Sequence, residues 1–171
     1  VANYKIAVVP GDGIGPEITE QAIKVLQTAE RIDTGLGLEW EYLDAGANLF
    51  LKTGVAMPEK VFDCCREADA ILLGAVGLPR ARHPDGREVA GDVIFRLRFG
   101  LDLYAGVRPV KLYSGVASPL KDTSKGIDYV VVRENIEGLY ASRDGGCNVR
   151  EEVVTDTIVV TRTGTRKVVD Y

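Results

Sequence analysis

The stretch that most constrains this chain is KIAVVPGDGIGPEITEQAIKVL, close to its start. Residues 5–10 carry an apolar, β-branched run, IAVV, that reads as a buried strand. Gly11, Gly13 and Gly15 follow, and then Ile18, Ala22, Val25, Leu26, Ala29 and Ile32 recur at helical spacing. Pro16 stands near the first turn, where a missing N–H leaves no bond unmade. Gly35 and Gly37 are expected to end the helix. Strand, glycine loop and helix in that order specify an α/β fold, with a helix N-terminus able to meet an anion or a polar ligand edge. The glycines form G-x-G-x-G with Pro16 next, so the dinucleotide fingerprint is not met, and no Walker lysine is present. A tight turn using glycine for backbone shape alone is the plainer alternative.

The remaining chain continues the alternation of strand and helix. Residues 38–43 alternate around Trp40 and Tyr42 as a second strand, and 44–57 leave room for a short helix. Residues 58–68 read as a helix with Val61, Phe62 and Cys65 on one face, and 70–75, AILLGA, as another buried strand. Gly74 and Gly77 turn the chain at that strand's carboxyl end, where ligands collect in open α/β sheets, so GAVGLP is a candidate cofactor-side loop. Residues 81–91 read as an exposed polar loop, and its His83 as a solvated side chain rather than a catalytic one. Residues 93–99 fit a helix with Ile94, Leu97 and Leu101 on one face and with Arg96 and Arg98 directed apart.

LDLYAGV reads as a strand with Arg108 at its end, held extended by Pro109. Residues 110–125 have little periodicity. Residues 127–132 are strongly β-prone, with Arg133, Glu134 and Asn135 at the carboxyl end and Tyr140 after Gly138 and Leu139. DGGC, 144–147, is expected to turn. Residues 149–161, rich in Val and Thr, suit a hairpin or arm, and Thr163 or Thr165 is expected to cap a last helix.

Bulk composition narrows the function. With 171 residues, 46% of them hydrophobic, the chain can bury a core, and about one domain is the prior. A net charge of −4 is no nucleic-acid footprint. No apolar run approaches the roughly 18 residues that span a bilayer, and the first residues lack the features of a signal peptide. Cys64, Cys65 and Cys147 form no disulfide framework, and a single histidine gives neither a zinc set nor a Cys/His pair. A reducing cytoplasm fits this usage.

Against that background Arg98, Arg108 and Arg133 stand out. Guanidinium groups present planar donors suited to carboxylate or phosphate oxygens, and Tyr140 can donate or orient a proton. The partner they suggest is a small anion with two or more carboxylates. The alternative is three surface arginines with ordinary salt bridges.

KIAVVPGDGIGPEI, LLGAVGLP, DLYAGVRPVK and VVVRENIEGLY, in this order and spacing, resemble the β-decarboxylating dehydrogenases of 2-hydroxy acids. That family includes the isopropylmalate, isocitrate, homoisocitrate and tartrate/D-malate enzymes. The resemblance implies a three-layer open α/β sheet of the isopropylmalate dehydrogenase type, with a non-Rossmann cofactor site and incomplete in this chain. Residues 1–101 would begin the first, cofactor-side domain, and 102–171 the second, dimerisation domain with an arm around 147–163. Arg98, Arg108 and Arg133 would grip the substrate carboxylates, Ile94 would meet its side group, and Tyr140 would help protonate the enol product. Gly13, Ile14, Gly74 and Ala75 would line the NAD (or NADP) site.

The implied activity is oxidative decarboxylation of a malate-type diacid, isopropylmalate or a tartrate/D-malate-like acid, by a cytoplasmic homodimer with shared active sites, and with no nucleic acid or membrane partner. The family's catalytic lysine, the aspartates that hold Mg²⁺ or Mn²⁺, and the adenosine loop are expected beyond residue 171, so this stretch alone is expected to be inactive. FRLRFG departs from the LxxLRK pattern of typical isopropylmalate enzymes, and RENIEGLY sits closer to the isocitrate, homoisocitrate and tartrate branches. Two other readings stand beside it: a non-catalytic binding or interaction fragment, and a phosphate-binding α/β enzyme using the helix after Gly15.

Overall fold

The structure is a computed structural model that describes residues 2–143 and 145–171. It divides into two compact units, Val1–Leu97 and Arg98–Tyr171.

The first unit is built on β1 (Ala2–Val9), the central strand of a parallel sheet ordered β2-β1-β3. Flanked on both sides, β1 buries Ala7, Val8 and Val9 completely. Burying a valine side chain stabilises by about 1.5 kcal/mol or more, so this run anchors the unit. Helix α1 (Gly15–Ile32) turns Thr19 and Ile23 inward, and Ile6, Val8 and Ile23 pack with Leu38, Trp40 and Leu72. The helix ends at Ile32, earlier than the glycines suggest: Asp33 N donates to Ala29 O, and β2 (Leu36–Tyr42) takes Gly37 into the strand. Strand β3 (Ala70–Leu73) is half-exposed rather than buried, because β1 is its one neighbour among the described residues.

Helices α2 (Ala47–Thr53), α3 (Glu59–Glu67) and α4 (Ala90–Gly100) complete the connections. The 81–91 segment is exposed at Arg82 and at residues 84–88, as expected, but it is pinned at both ends. Ala81 and Val89 are buried, Arg82 and Glu88 form a bridge, and Arg82 also donates to Gly86 O. Its His83 is not solvated. The Nε2 atom lies 2.8 Å from Asp92 Oδ2, and the ring stands edge-on to Phe50 with centroids 5.0 Å apart.

In the second unit β4 (Ala105–Lys111) pairs antiparallel with β5 (Asp128–Glu134). A short hairpin joins β6 (Cys147–Val149) to β7 (Val153–Thr155), reversing through positive φ at Arg150 and Glu151. The turn expected at 144–147 includes Asp144, outside the described residues. Helix α5 (Arg162–Val169) is capped by Thr161 rather than Thr163 or Thr165: its side chain accepts from Gly164 N at 3.0 Å. Arg108 lies within β4 opposite Val131, not at a strand end, because Pro109 is accommodated inside this strand of a two-stranded ladder. No helix among the described residues is long and apolar enough to cross a membrane.

Candidate functional site

Two constellations carry the expected site residues, one in each unit. In the first, the register Val9↔Leu73 brings the carboxyl ends of β1 and β3 side by side, so the 10–15 and 74–77 loops leave the sheet together. Gly74 N donates to Val9 O at 2.8 Å and Asp12 N to Ala75 O at 2.7 Å. The backbones touch: a Cβ on Gly15 would lie 2.2 Å from Pro10 O, and one on Gly74 would lie 2.1 Å from the same oxygen. Gly74 therefore serves the close packing of the two loops. Gly13 adopts φ +58 and faces open space, with Leu78 at 4.0 Å the nearest neighbour of an added Cβ. Ile14 is exposed beside it, and Ala75 is half-buried. Gly13, Ile14 and Ala75 thus stand close together where the two loops leave the sheet.

Sequence reasoning missed the residue that holds these loops. Asp12 is 1% exposed. Its Oδ2 accepts from Ala47 N at 2.7 Å and from Gly77 N at 2.9 Å, and its Oδ1 from Asn48 N at 2.7 Å. The aspartate was visible inside the GDG turn, but its partners are far along the chain and leave no periodic signal.

In the second unit the structure brings Arg98, Arg133 and Tyr140 together. Arg133 Nη2 donates to the Tyr140 hydroxyl at 2.5 Å. The Arg133 and Arg98 guanidinium carbons stand 5.4 and 5.5 Å from the Tyr140 ring centroid, within the range of cation–π attraction. The Arg133 hydrogen bond is the main cause that lowers the Tyr140 pKa below that of an ordinary phenol; burial opposes it and Arg98 adds to it.

The RENIEGLY segment makes this geometry locally. The Glu134 carboxylate accepts from Ile136 N and Glu137 N, each at 2.7 Å, and so bends the chain at the end of β5. Gly138, at φ +71, exchanges backbone hydrogen bonds with Val159, and the Glu137 carboxylate accepts from Thr161 N at 2.7 Å. Thr161 lowers the Glu137 pKa through its side-chain and backbone hydrogen bonds. Arg133 lies opposite Gly106 in the ladder, so Arg108, two residues along β4, projects from the same sheet face. With the described residues Arg108 makes no side-chain hydrogen bond or ion pair. Ile94 is half-buried on α4, four residues before Arg98.

Beside Arg133 and Tyr140 opens a groove of about 500 Å³, walled by Leu139, Val160, Val168 and Val169. Sequence reasoning also passed over the Asn135 side chain, whose buried Oδ1 has no hydrogen-bond partner among the described residues. Among those residues no group of three or more His, Cys, Asp or Glu side chains gathers to hold a metal ion.

The family model for isocitrate/isopropylmalate dehydrogenase matches residues 5–171. The chain is 44% identical to a 3-isopropylmalate dehydrogenase of Bifidobacterium longum over 99% of its own length and 48% of that protein. An isocitrate dehydrogenase structure from Methylococcus capsulatus superposes with a TM-score of 0.76 at 32% identity, covering 98% of this chain and 46% of that one. A β-decarboxylating dehydrogenase from Thermococcus kodakarensis gives a TM-score of 0.65 at 31% identity, over 98% and 43%. The α/β fold is similar to theirs, and the chain spans about half the length of the curated relatives it matches.

Proposed function

Since the chain belongs to the isocitrate/isopropylmalate dehydrogenase family, we propose that its full-length protein oxidatively decarboxylates a malate-type 2-hydroxy diacid with hydride transfer to NAD or NADP. Isopropylmalate and tartrate/D-malate-like acids are the substrates to test first. The single observation that carries this reading is the contact of Arg133 with the Tyr140 hydroxyl, with Arg98 over the same ring. It combines anion-binding donors with a phenol made more acidic than usual, which is the combination an enol-forming decarboxylation uses.

In this reading the C2–H leaves as hydride and the hydroxyl proton departs, giving a 2-oxo acid. The C2 carbonyl accepts the electron pair released when the carboxylate on C3, β to it, leaves as CO₂, giving an enolate. The enolate takes a proton at C3, with Tyr140 as the donor, and so becomes the 2-oxo acid product. Arg98, Arg108 and Arg133 bind the carboxylates, each charge-assisted contact contributing about 1.5–3 kcal/mol where buried, and Ile94 meets the substrate side group. The nicotinamide accepts the hydride when bound, and Gly13, Ile14, Gly74 and Ala75 are assigned to its side of the site.

The residues described here do not supply a metal centre, so no step is routed through one. Ligands for Mg²⁺ or Mn²⁺ are assigned beyond residue 171. We also assign residues 1–101 to a cofactor-side domain and 102–171 to a dimerisation domain with its arm at 147–163, in a cytoplasmic homodimer. The test is NADH formation by the full-length protein with Mn²⁺ and a panel of isopropylmalate, isocitrate, homoisocitrate, tartrate and D-malate. One acid should support turnover with release of CO₂; absence of NADH with every acid and both cofactors would overturn the reading.

A further inference from the structure

Asp12 is a buried carboxylate that the proposed chemistry does not use. Its three donors come from two segments distant from it in sequence: the first turn of α2 gives Ala47 and Asn48, and the loop after β3 gives Gly77. Asp12 itself directly precedes Gly13 and Ile14. One carboxylate thus ties together every segment of the first unit to which a cofactor-side residue has been assigned.

The fold makes room for this charge. Gly46 adopts φ +128, and a Cβ there would lie 2.4 Å from Asp12 Oδ2. The amino-terminal end of α2, where helix dipoles favour negative charge, faces the carboxylate. Burying an ion is expensive, and well-packed apolar groups often stabilise as well. Three convergent N–H donors compensate the charge here and in return fix directions that apolar packing would leave loose.

We propose that Asp12 is a positioning residue for cofactor binding, holding the Gly13–Ile14 segment in register with the 74–77 loop. The proposal rests on the dehydrogenase reading above. Asp12 touches no ligand in this scheme; it acts through the backbone of its neighbours.

The test uses the full-length protein carrying D12N or N48P. Asparagine keeps the shape of Asp12 but sets an NH₂ group against N–H donors and removes the charge. Proline at 48, the second helical position of α2, deletes one donor from an exposed position in the first turn, where the N–H has no partner within the helix. NADH binding is measured by fluorescence titration, beside thermal unfolding and the KM for the diacid. D12N should weaken NADH binding about tenfold or more, and N48P about fivefold, the worth of one net hydrogen bond. The diacid KM at saturating cofactor should change less than about twofold. A folded D12N with wild-type NADH affinity and only a lower Tm would overturn the proposal. If D12N does not fold, N48P decides in the same way. Wild-type protein that binds no NADH would instead overturn the dehydrogenase reading, and the proposal with it.

Discussion

Replacing Tyr140 by Phe removes one oxygen and leaves the ring. The cation contacts of Arg98 and Arg133 with that ring, at 5.5 and 5.4 Å, need only the π face and are retained. What is lost is the hydroxyl, which accepts from Arg133 Nη2 at 2.5 Å and is also hydrogen-bonded by Arg98. Tyr140 is half-buried, so each lost bond lowers stability by about 1 kcal/mol at most. If the hydroxyl is the general acid, its loss removes about 10²–10⁴-fold in the protonation step, or roughly 3–5 kcal/mol of barrier.

Stability and rate are therefore expected to separate: a Tm close to wild type, and a kcat down by about a hundredfold or more. Rapid mixing should still show the first NADH formed, because hydride transfer precedes protonation. A kcat within tenfold of wild type, or equal loss of the NADH burst and the steady state, would refute the role. The same hydroxyl can be titrated as tyrosinate by difference absorbance against Y140F. Its pKa should lie below 10.0 and rise toward that value in Arg133→Met. With the folded pKa depressed, the stabilisation appears as pH rises through the folded value and is complete above the unfolded one.

Arg108→Ala should raise the diacid KM by about tenfold or more, the worth of one charge-assisted contact, with the ligand-free Tm unchanged; steady-state kinetics and thermal unfolding check both. Glu137→Gln should weaken the tie between the RENIEGLY turn and Thr161. The Glu137 carboxyl titrates below its ordinary value of 4.5, so its contribution is full above that pH and disappears as pH falls through the folded pKa. Urea unfolding of wild type and variant should differ at pH 6 and converge in that acidic window. Thiol labelling should modify exposed Cys147 first, while Cys65, 2% exposed and with its thiol pushed up by burial to about 11, reacts only on unfolding.

The sequence made the βα unit legible because β1 and α1 are local and strongly periodic, and the structure keeps both close to their expected bounds. Arg133 and Tyr140 are legible in the sequence as members of one candidate set, but their direct contact, across the two ends of one short turn, comes from the structure. Burial was harder to read than strand identity. AILL carries a buried-strand pattern, yet β3 has one sheet neighbour and stays half-exposed. His83 looked solvated in its polar segment, but Phe50 and Asp92 reach it from α2 and α4. Asp12 escaped notice because its bonds go to backbone groups, and a backbone N–H leaves no residue type in the sequence to find.

The disposition of charge differs between Asp12 and the arginines proposed to bind the diacid. Every oxygen of the Asp12 carboxylate is engaged by a backbone donor, and the side chain is closed from solvent. A charge satisfied in this way has little capacity left for a ligand and can act only through the atoms it holds. Arg108 and Arg133 are arranged oppositely. They project as diagonal neighbours from one face of the β4–β5 ladder, and neither is paired with a carboxylate among the described residues. Two like charges brought near each other on one face repel, and an incoming anion relieves that repulsion while filling the guanidinium forks. A monoanion can answer only one of them well. A diacid can answer both at once, which agrees with the diacid substrate proposed above.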